Sequence, residues 1–420
     1  MNKNINFVFK EKSPNCPNVL DVVIDNVNLN YDMTHDTRHN SLYNIYSQLG
    51  LAKVYPVTKL PNDVFFFEYE WHWWFPIEDY FGNNGFLSRN ICPVNVMERI
   101  KNKTAYLVVS IPMESCVFPN HLDKIHSYFT HTEIPSSHIL YFTCSPNGSE
   151  LYQKYCAERN IEPSMTPMYI PFYMNVYRQF SMKKINYYDG PKEKEFLMFN
   201  RRWGNHPHRA LFLYYLYKEK LIDHFHISFS KYEIDNGGSY SDHMLGFASY
   251  LKDFVIDETL IQEIEKELPL YLDFDDLTPN MMYLKSEKTL SLYNTSCINL
   301  VAETYFFSDV VHTTEKIFKP ILYMQPFIIL SVPHYLKHLR NIGFQTFGTI
   351  WDESYDEELD HTKRFFKILE LVKEISNWSD DKKVLVMEQC RSIVNHNIGQ
   401  LTNLKENKII TNLVEQYGVA

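Results

Sequence analysis

The chain has 420 residues, of which 45% are hydrophobic and 22% charged, which fits a folded protein of about two domains and excludes a disordered or fibrous class. Its net charge of -10 opposes a general nucleic-acid-binding role, since such proteins present a basic surface that exchanges counterions with phosphates. Seven scattered cysteines without a C-x-x-C pair exclude a disulfide framework and a zinc knuckle, and a reducing cytoplasm is the simplest home. The aromatic content of 15%, with abundant Asn and Lys beside it, reads mainly as a coding bias and says little about a stacking surface. The N-terminus lacks the apolar core of a signal peptide, and the best apolar window, Ile321 to Val332, is interrupted by Pro326, so no membrane span is expected.

From about residue 60, short apolar runs alternate with amphipathic stretches, the signature of βαβ units and a parallel sheet. Residues 62–71, 104–113 and 138–144 read as strands, 121–130 and 149–160 as helices, and 168–174 as a last strand of this half. The polar segment 181–195, with its Gly190-Pro191 break, is the expected linker. A second alternation follows, with strands at 196–203, 224–230, 297–306 and 326–332, and helices at 208–222, 313–323 and 334–342. The stretch between 230 and 297 reads as a helical and irregular insertion, and the tail from about Asp360 as helices. The expected organisation is α/β of GT-B type: Rossmann-like domains over 1–180 and 196–359 facing a cleft, joined by the linker, with C-terminal helices over 360–420.

Three places in the second half put chemistry at strand ends. In "FLMFNRRWGNHPHRALF", Asn200, Arg201 and Arg202 close a strand and Arg209 opens a helix, where guanidinium groups suit a phosphate or simply cap a turn. In "NLVAETYFFSD", Glu303 follows an apolar strand, where a carboxylate can accept from ribose hydroxyls or stand solvated. In "VVHTTEKIFKPILY", Thr313 or Thr314 caps a helix and Glu315 suits its first turn. Lys316 is different, because a cation there costs a few tenths of a kcal/mol against the helix dipole unless an anion offsets it.

Taken together, "FNRRWGNHPHRALFLYYL" and "AETYFFSDVVHTTEKIFKPILYMQPFII" resemble the donor-binding half of the fucosyltransferase family, over about residues 195 to 332. The resemblance implies a sugar-nucleotide site that works without a metal, a GDP- or UDP-sugar donor and inversion at the anomeric centre. It assigns the diphosphate to Arg209, helped by Arg201, and to Lys316. Glu303 matches the family's strand-end Glu, Thr314 the Thr of its Thr-Glu-Lys start, and Glu315 the ribose-contacting Glu. Two departures, Thr304 for the family's Asn and His312 for its Tyr, fall where base and sugar are read, and mark a diverged relative. Fixed cations at such a site would stabilise charge developing on the departing phosphate more than they stabilise the ground state.

A general base must then take the acceptor hydroxyl's proton. In the resembling family it is a Glu just beyond a strand of the first domain, which points to Glu114 in "AYLVVSIPMESCVF"; Glu68 and Glu70 are rivals. Trp73, with Trp71 and Trp74, would offer an acceptor-side platform or belong to the core. Asp273 and Asp275 have D-x-D spacing, yet three aspartates in a charged loop arise often. His206 and His208 lack a third ligand and read as turn residues. No P-loop or G-x-S-x-G elbow is present. The expected function is an inverting glycosyltransferase acting on a glycan hydroxyl. The alternatives are a modified DNA base as acceptor, or a non-catalytic nucleotide- or glycan-binding protein on the same scaffold.

Overall fold

The computed structural model describes residues 5–9, 52–56, 59–62, 64–70, 94–111, 115, 117–130, 132–174, 177, 187–200, 202–232, 237–270 and 287–403. The chain forms two compact units, Met1–Val176 with Lys408–Ala420, and Tyr177–Asn407. The division falls just ahead of the segment read as a linker.

The first unit holds a six-stranded parallel sheet of β1 (Ile5–Phe9), β2 (Ala52–Pro56), β3 (Phe65–Glu70), β4 (Ala105–Ile111), β5 (Ile139–Thr143) and β6 (Thr166–Tyr169) in the order β2-β1-β3-β4-β5-β6. Helices α1 (Val94–Lys101), α2 (Pro119–Thr130) and α3 (Gly148–Arg159) lie between these strands in sequence. The runs Phe65 to Phe67 and Ile139 to Phe142 are buried throughout, as expected where a parallel sheet is covered on both faces. The sequence reading misses β1 and β2, and α1 also escapes it. It extends the last strand of this half too far: β6 ends at Tyr169, and residues 172–174 turn helical after Pro171.

The second unit is built on a four-stranded parallel sheet of β7 (Lys194–Asn200), β8 (Phe225–Phe229), β9 (Ser296–Ala302) and β10 (Phe327–Leu330), ordered β10-β9-β7-β8. Helix α4 (Pro207–Lys218) connects β7 to β8. It is buried over Pro207 to Leu216, so this helix is apolar on nearly every side and forms core rather than surface. Helices α5 (Tyr240–Phe247), α6 (Glu258–Glu267) and α7 (Glu287–Thr295) precede β9. After it come α8 (Glu315–Leu322), β10 and α9 (Tyr335–Asn341). The tail forms α10 (His361–Ser376), capped by Asp360 accepting from the Thr362 and Lys363 amides, and α11 (Asp380–Thr402). Both belong to the second unit. Among the described residues, no helix is long and apolar enough to cross a membrane.

Candidate functional site

Strand order fixes where this second sheet can hold a ligand. The chain moves from β7 outward to β8, then returns to the other side of β7 for β9 and β10, so the order reverses between β7 and β9. In open α/β sheets, ligands bind outside the carboxyl ends of the strands at such a reversal. Here the two strands separate at that end. The β7–β9 ladder runs from Lys194↔Ser296 to Leu197↔Asn299, whereas β7 stays paired to β8 up to Asn200↔Phe229, and β9 to β10 up to Ala302↔Leu330. Asn200 closes β7 at this opening, 1% exposed, with both side-chain amide atoms lacking a hydrogen-bond partner. A buried carboxamide in that state is uncommon and calls for an explanation.

The start of α4 grips the end of β9. His206, the N-cap residue, donates through Nδ1 to the Thr304 carbonyl at 2.9 Å, and His208 through Nε2 to the Glu303 carbonyl at 2.9 Å. A carbonyl only accepts, so these contacts fix the tautomer of each ring. Arg209 donates to the carbonyls of Ala302 at 3.2 Å and Glu303 at 3.0 Å, and also to that of Arg202. It is 3% exposed. The guanidinium expected to meet a phosphate therefore clamps the β7 and β9 ends together. Burial, aided by the Arg209 charge, pushes both imidazoles far below the ordinary histidine range, so they are neutral.

Glu303 is also turned inward. Its carboxylate is fully buried and accepts four hydrogen bonds: Oε1 from the Thr314 amide at 3.2 Å and the Tyr335 hydroxyl at 2.7 Å, Oε2 from the Thr304 amide at 3.2 Å and the Thr314 hydroxyl at 2.6 Å. A carboxylate offers about four acceptor positions, and protein donors take them all. Glu303 thus braces the turn into α8 and has no lone pair to offer a ribose in this conformation.

Thr314 caps α8 as expected, its hydroxyl accepting from the Lys316 amide at 3.3 Å. The Lys316 ammonium lies 3.1 Å from Thr314 Oγ1, 3.4 Å from Thr304 Oγ1 and 3.4 Å from Glu315 Oε1, and its side chain keeps 24% exposure. Glu315 supplies the anion that offsets a cation in the first turn. Burial pushes the Glu315 carboxyl up, but Lys316, Lys319 and its own backbone amide outweigh burial and hold it at about 2. His312 is buried and packs against Tyr305, with ring centroids 5.5 Å apart.

The structure gathers Arg209, Glu303, Thr314, Glu315 and Lys316 around the end of β9 and engages most of them in its framework. Arg201, Glu114 and Trp73 lie outside the described residues, as do Asp273 and Asp275; Glu68 and Glu70 lie on β3, but their side chains are outside the description. Among the described residues, no three His, Cys, Asp or Glu side chains form a metal-holding group. Three contributors escape the sequence reading. His206 reads in sequence only as a turn residue, Tyr335 lies on α9, and Arg364 on α10 donates from 2% exposure to the Phe306 carbonyl at 2.7 Å and the Ser331 carbonyl at 3.0 Å, holding the loops after β9 and β10. The "NHPHR" spacing of two histidines and an arginine at a helix start was the available signal.

No family model matches the chain, and no curated protein matches it. Among solved structures it is similar to the N-terminal domain of Candida albicans trehalose-6-phosphate phosphatase, at 12% identity over 86% of this chain and 71% of that one, with a TM-score of 0.40. It is similar also to an α,α-trehalose 6-phosphate synthase from Burkholderia multivorans, at 10% identity over 86% and 71% of the two chains, TM-score 0.40. A third is the catalytic domain of Arabidopsis thaliana starch synthase IV bound to ADP and acarbose, at 10% identity over 89% and 75%, TM-score 0.38.

Proposed function

We propose that this chain is a GT-B glycosyltransferase that takes a sugar from a nucleotide-sugar donor held at the carboxyl ends of β7 and β9. The observation that carries the reading is the opening of the sheet between those strands, where the partly exposed Lys316 ammonium stands at the start of α8 and the start of α4 lies opposite on the same strand end. The amides of Thr314 and Lys316 are satisfied within the chain, so what the α8 start offers a diphosphate is the ammonium and the positive end of the dipole. Charge developing on the departing phosphate would be met by that fixed cation, which needs no reorganisation because two hydroxyls and Glu315 already hold it.

In this reading transfer is inverting and fucosyltransferase-like, proceeds without a metal, and uses Glu114 as the base for a glycan hydroxyl in a cytoplasmic setting. Arg209 and Glu303 keep the strand end in shape, while Lys316 meets the donor. The test is thermal stabilisation by a panel of UDP-, GDP-, CMP- and ADP-sugars, where a ligand at a hundred times its Kd adds about 2.7 kcal/mol. Release of nucleoside diphosphate from the stabilising donor is then followed in excess EDTA. A chain that no sugar nucleotide stabilises and that releases no diphosphate is not a glycosyltransferase of this kind.

A further inference from the structure

With Glu303 saturated and Glu315 buried against Lys316, the two carboxylates expected to receive ribose hydroxyls are both engaged within the chain. A sugar-nucleotide site still needs an acceptor for those hydroxyls, because a ribose inserted without one leaves its O–H groups unsatisfied. His206 has the required form. Its Nδ1–H is spent on the Thr304 carbonyl, so Nε2 carries the ring's lone pair, and among the described residues no donor reaches it. The residue is only half-buried, and Lys316 binds the hydroxyl of the same Thr304 whose carbonyl holds the imidazole. One residue therefore anchors both an ammonium and a neutral imidazole. The first suits an anion. The second repels one and suits a hydroxyl.

We infer that His206 Nε2 is the acceptor that receives a ribose hydroxyl of a nucleoside diphosphate whose phosphates lie at Lys316. The inference rests on the donor-site reading above and adds to it a residue that reads the sugar of the nucleotide. Burial, with the charges of Arg209 and Lys316, keeps the ring neutral across the working pH range, so the lone pair stays available. Each interaction then selects a different part of the ligand. Pyrophosphate satisfies Lys316 alone, whereas a ribonucleoside diphosphate satisfies both.

The test is isothermal titration of the full chain with pyrophosphate, with UDP and GDP, and with their 2′,3′-dideoxy counterparts. The wild type should prefer the better-binding ribonucleotide over its dideoxy form by roughly fivefold. His206→Asn should bind both forms equally and leave pyrophosphate affinity unchanged. Asn is a favoured N-cap residue, so the start of α4 should tolerate the change. A measurement on the wild type does not depend on that variant folding: carbethoxylation of His206, mapped by mass spectrometry, should be blocked by the bound nucleoside diphosphate and not by pyrophosphate. Persisting ribose preference in His206→Asn, or no ribose preference in the wild type, overturns the role of His206 while leaving the anion site standing. Absence of any binding by pyrophosphate and both diphosphates overturns the donor site and His206 together.

Discussion

Replacing Glu303 with glutamine separates a framework carboxylate from a ligand-binding one. The substitution keeps shape and removes charge, and its consequence follows from the four donors around the carboxylate. Each oxygen accepts from one backbone amide, Thr314 at Oε1 and Thr304 at Oε2, and from one hydroxyl, that of Tyr335 or Thr314. The hydroxyls can rotate, but the amides cannot. Whichever way the carboxamide is turned, its NH2 faces one of those amide N–H groups, leaving a buried donor unsatisfied at a cost of about 1–3 kcal/mol, while the remaining bonds lose their charge assistance. The expected sum is on the order of 3 kcal/mol of local stability. Hydrogen exchange of the peptide spanning residues 303–318, followed by mass spectrometry, reads that loss directly as roughly hundredfold faster exchange. Local exchange is preferable to a global melt, since a chain of two units need not unfold in one step. Unchanged exchange together with weakened nucleotide binding would refute the brace and restore Glu303 as a ribose ligand.

Lys316→Ala should abolish most thermal stabilisation by sugar nucleotides, and it should also lower the unliganded melting temperature, because the buried Glu315 carboxylate loses the ammonium beside it. Arg209→Lys should act on the frame, lowering stability by about 2 kcal/mol or more, since a single ammonium cannot replace a guanidinium on three carbonyls, and hydrogen-bonded buried groups left unpaired are costly. The Glu315 carboxyl is held at about 2 against an ordinary 4.5, so its folded pKa is depressed, and the stability it contributes is full above 4.5 and lost as pH falls toward 2. That contribution is on the order of 3 kcal/mol, and Glu315→Gln should flatten the acid limb of a melting-temperature profile between those values. If the variant melts along the wild-type acid limb, the Glu315 carboxyl is not held below its ordinary range in the folded chain.

The sheet of the second unit was legible because its inner and edge strands β9 and β10 are largely apolar runs next to strongly marked helices: "CINLVA" is buried at every position of β9, and "FIIL" likewise in β10. The first two strands were not, since "INFVF" and "AKVYP" mix polar with apolar residues and are set in a polar, Asn- and Lys-rich context that gives no periodic signal. At the candidate site, type and place were readable and direction was not. A strand-end Glu and a helix-start Arg look alike in sequence whether they face a ligand or the protein. Their orientation depends on Tyr335 and on the β9 carbonyls, which lie far away in sequence from one or both of them. Arg364 was beyond reach for the same reason, because its partners Phe306 and Ser331 are brought to it only by the packing of α10.

That division of labour changes what these strand-end and helix-start residues can testify to. Arg209, Glu303 and Thr314 hold the end of β9 to α4 and α8 through bonds that exist without any ligand. A chain that had stopped transferring sugar would still need them to keep this strand end folded, because removing any one leaves buried groups unpaired. Their presence therefore supports the architecture more than the activity. Lys316 and His206 are the informative pair: the Lys316 side chain keeps 24% exposure, and among the described residues no donor reaches the second ring nitrogen of His206. A catalytic chain and a non-catalytic nucleotide binder would both depend on this pair for binding, so the two are separated one step later, at the base. If Glu114→Gln leaves nucleotide affinity intact and stops diphosphate release, the chain is a transferase. If the wild type binds the nucleotide and never releases diphosphate from a sugar nucleotide, with or without glycan acceptors, the same pocket serves recognition alone.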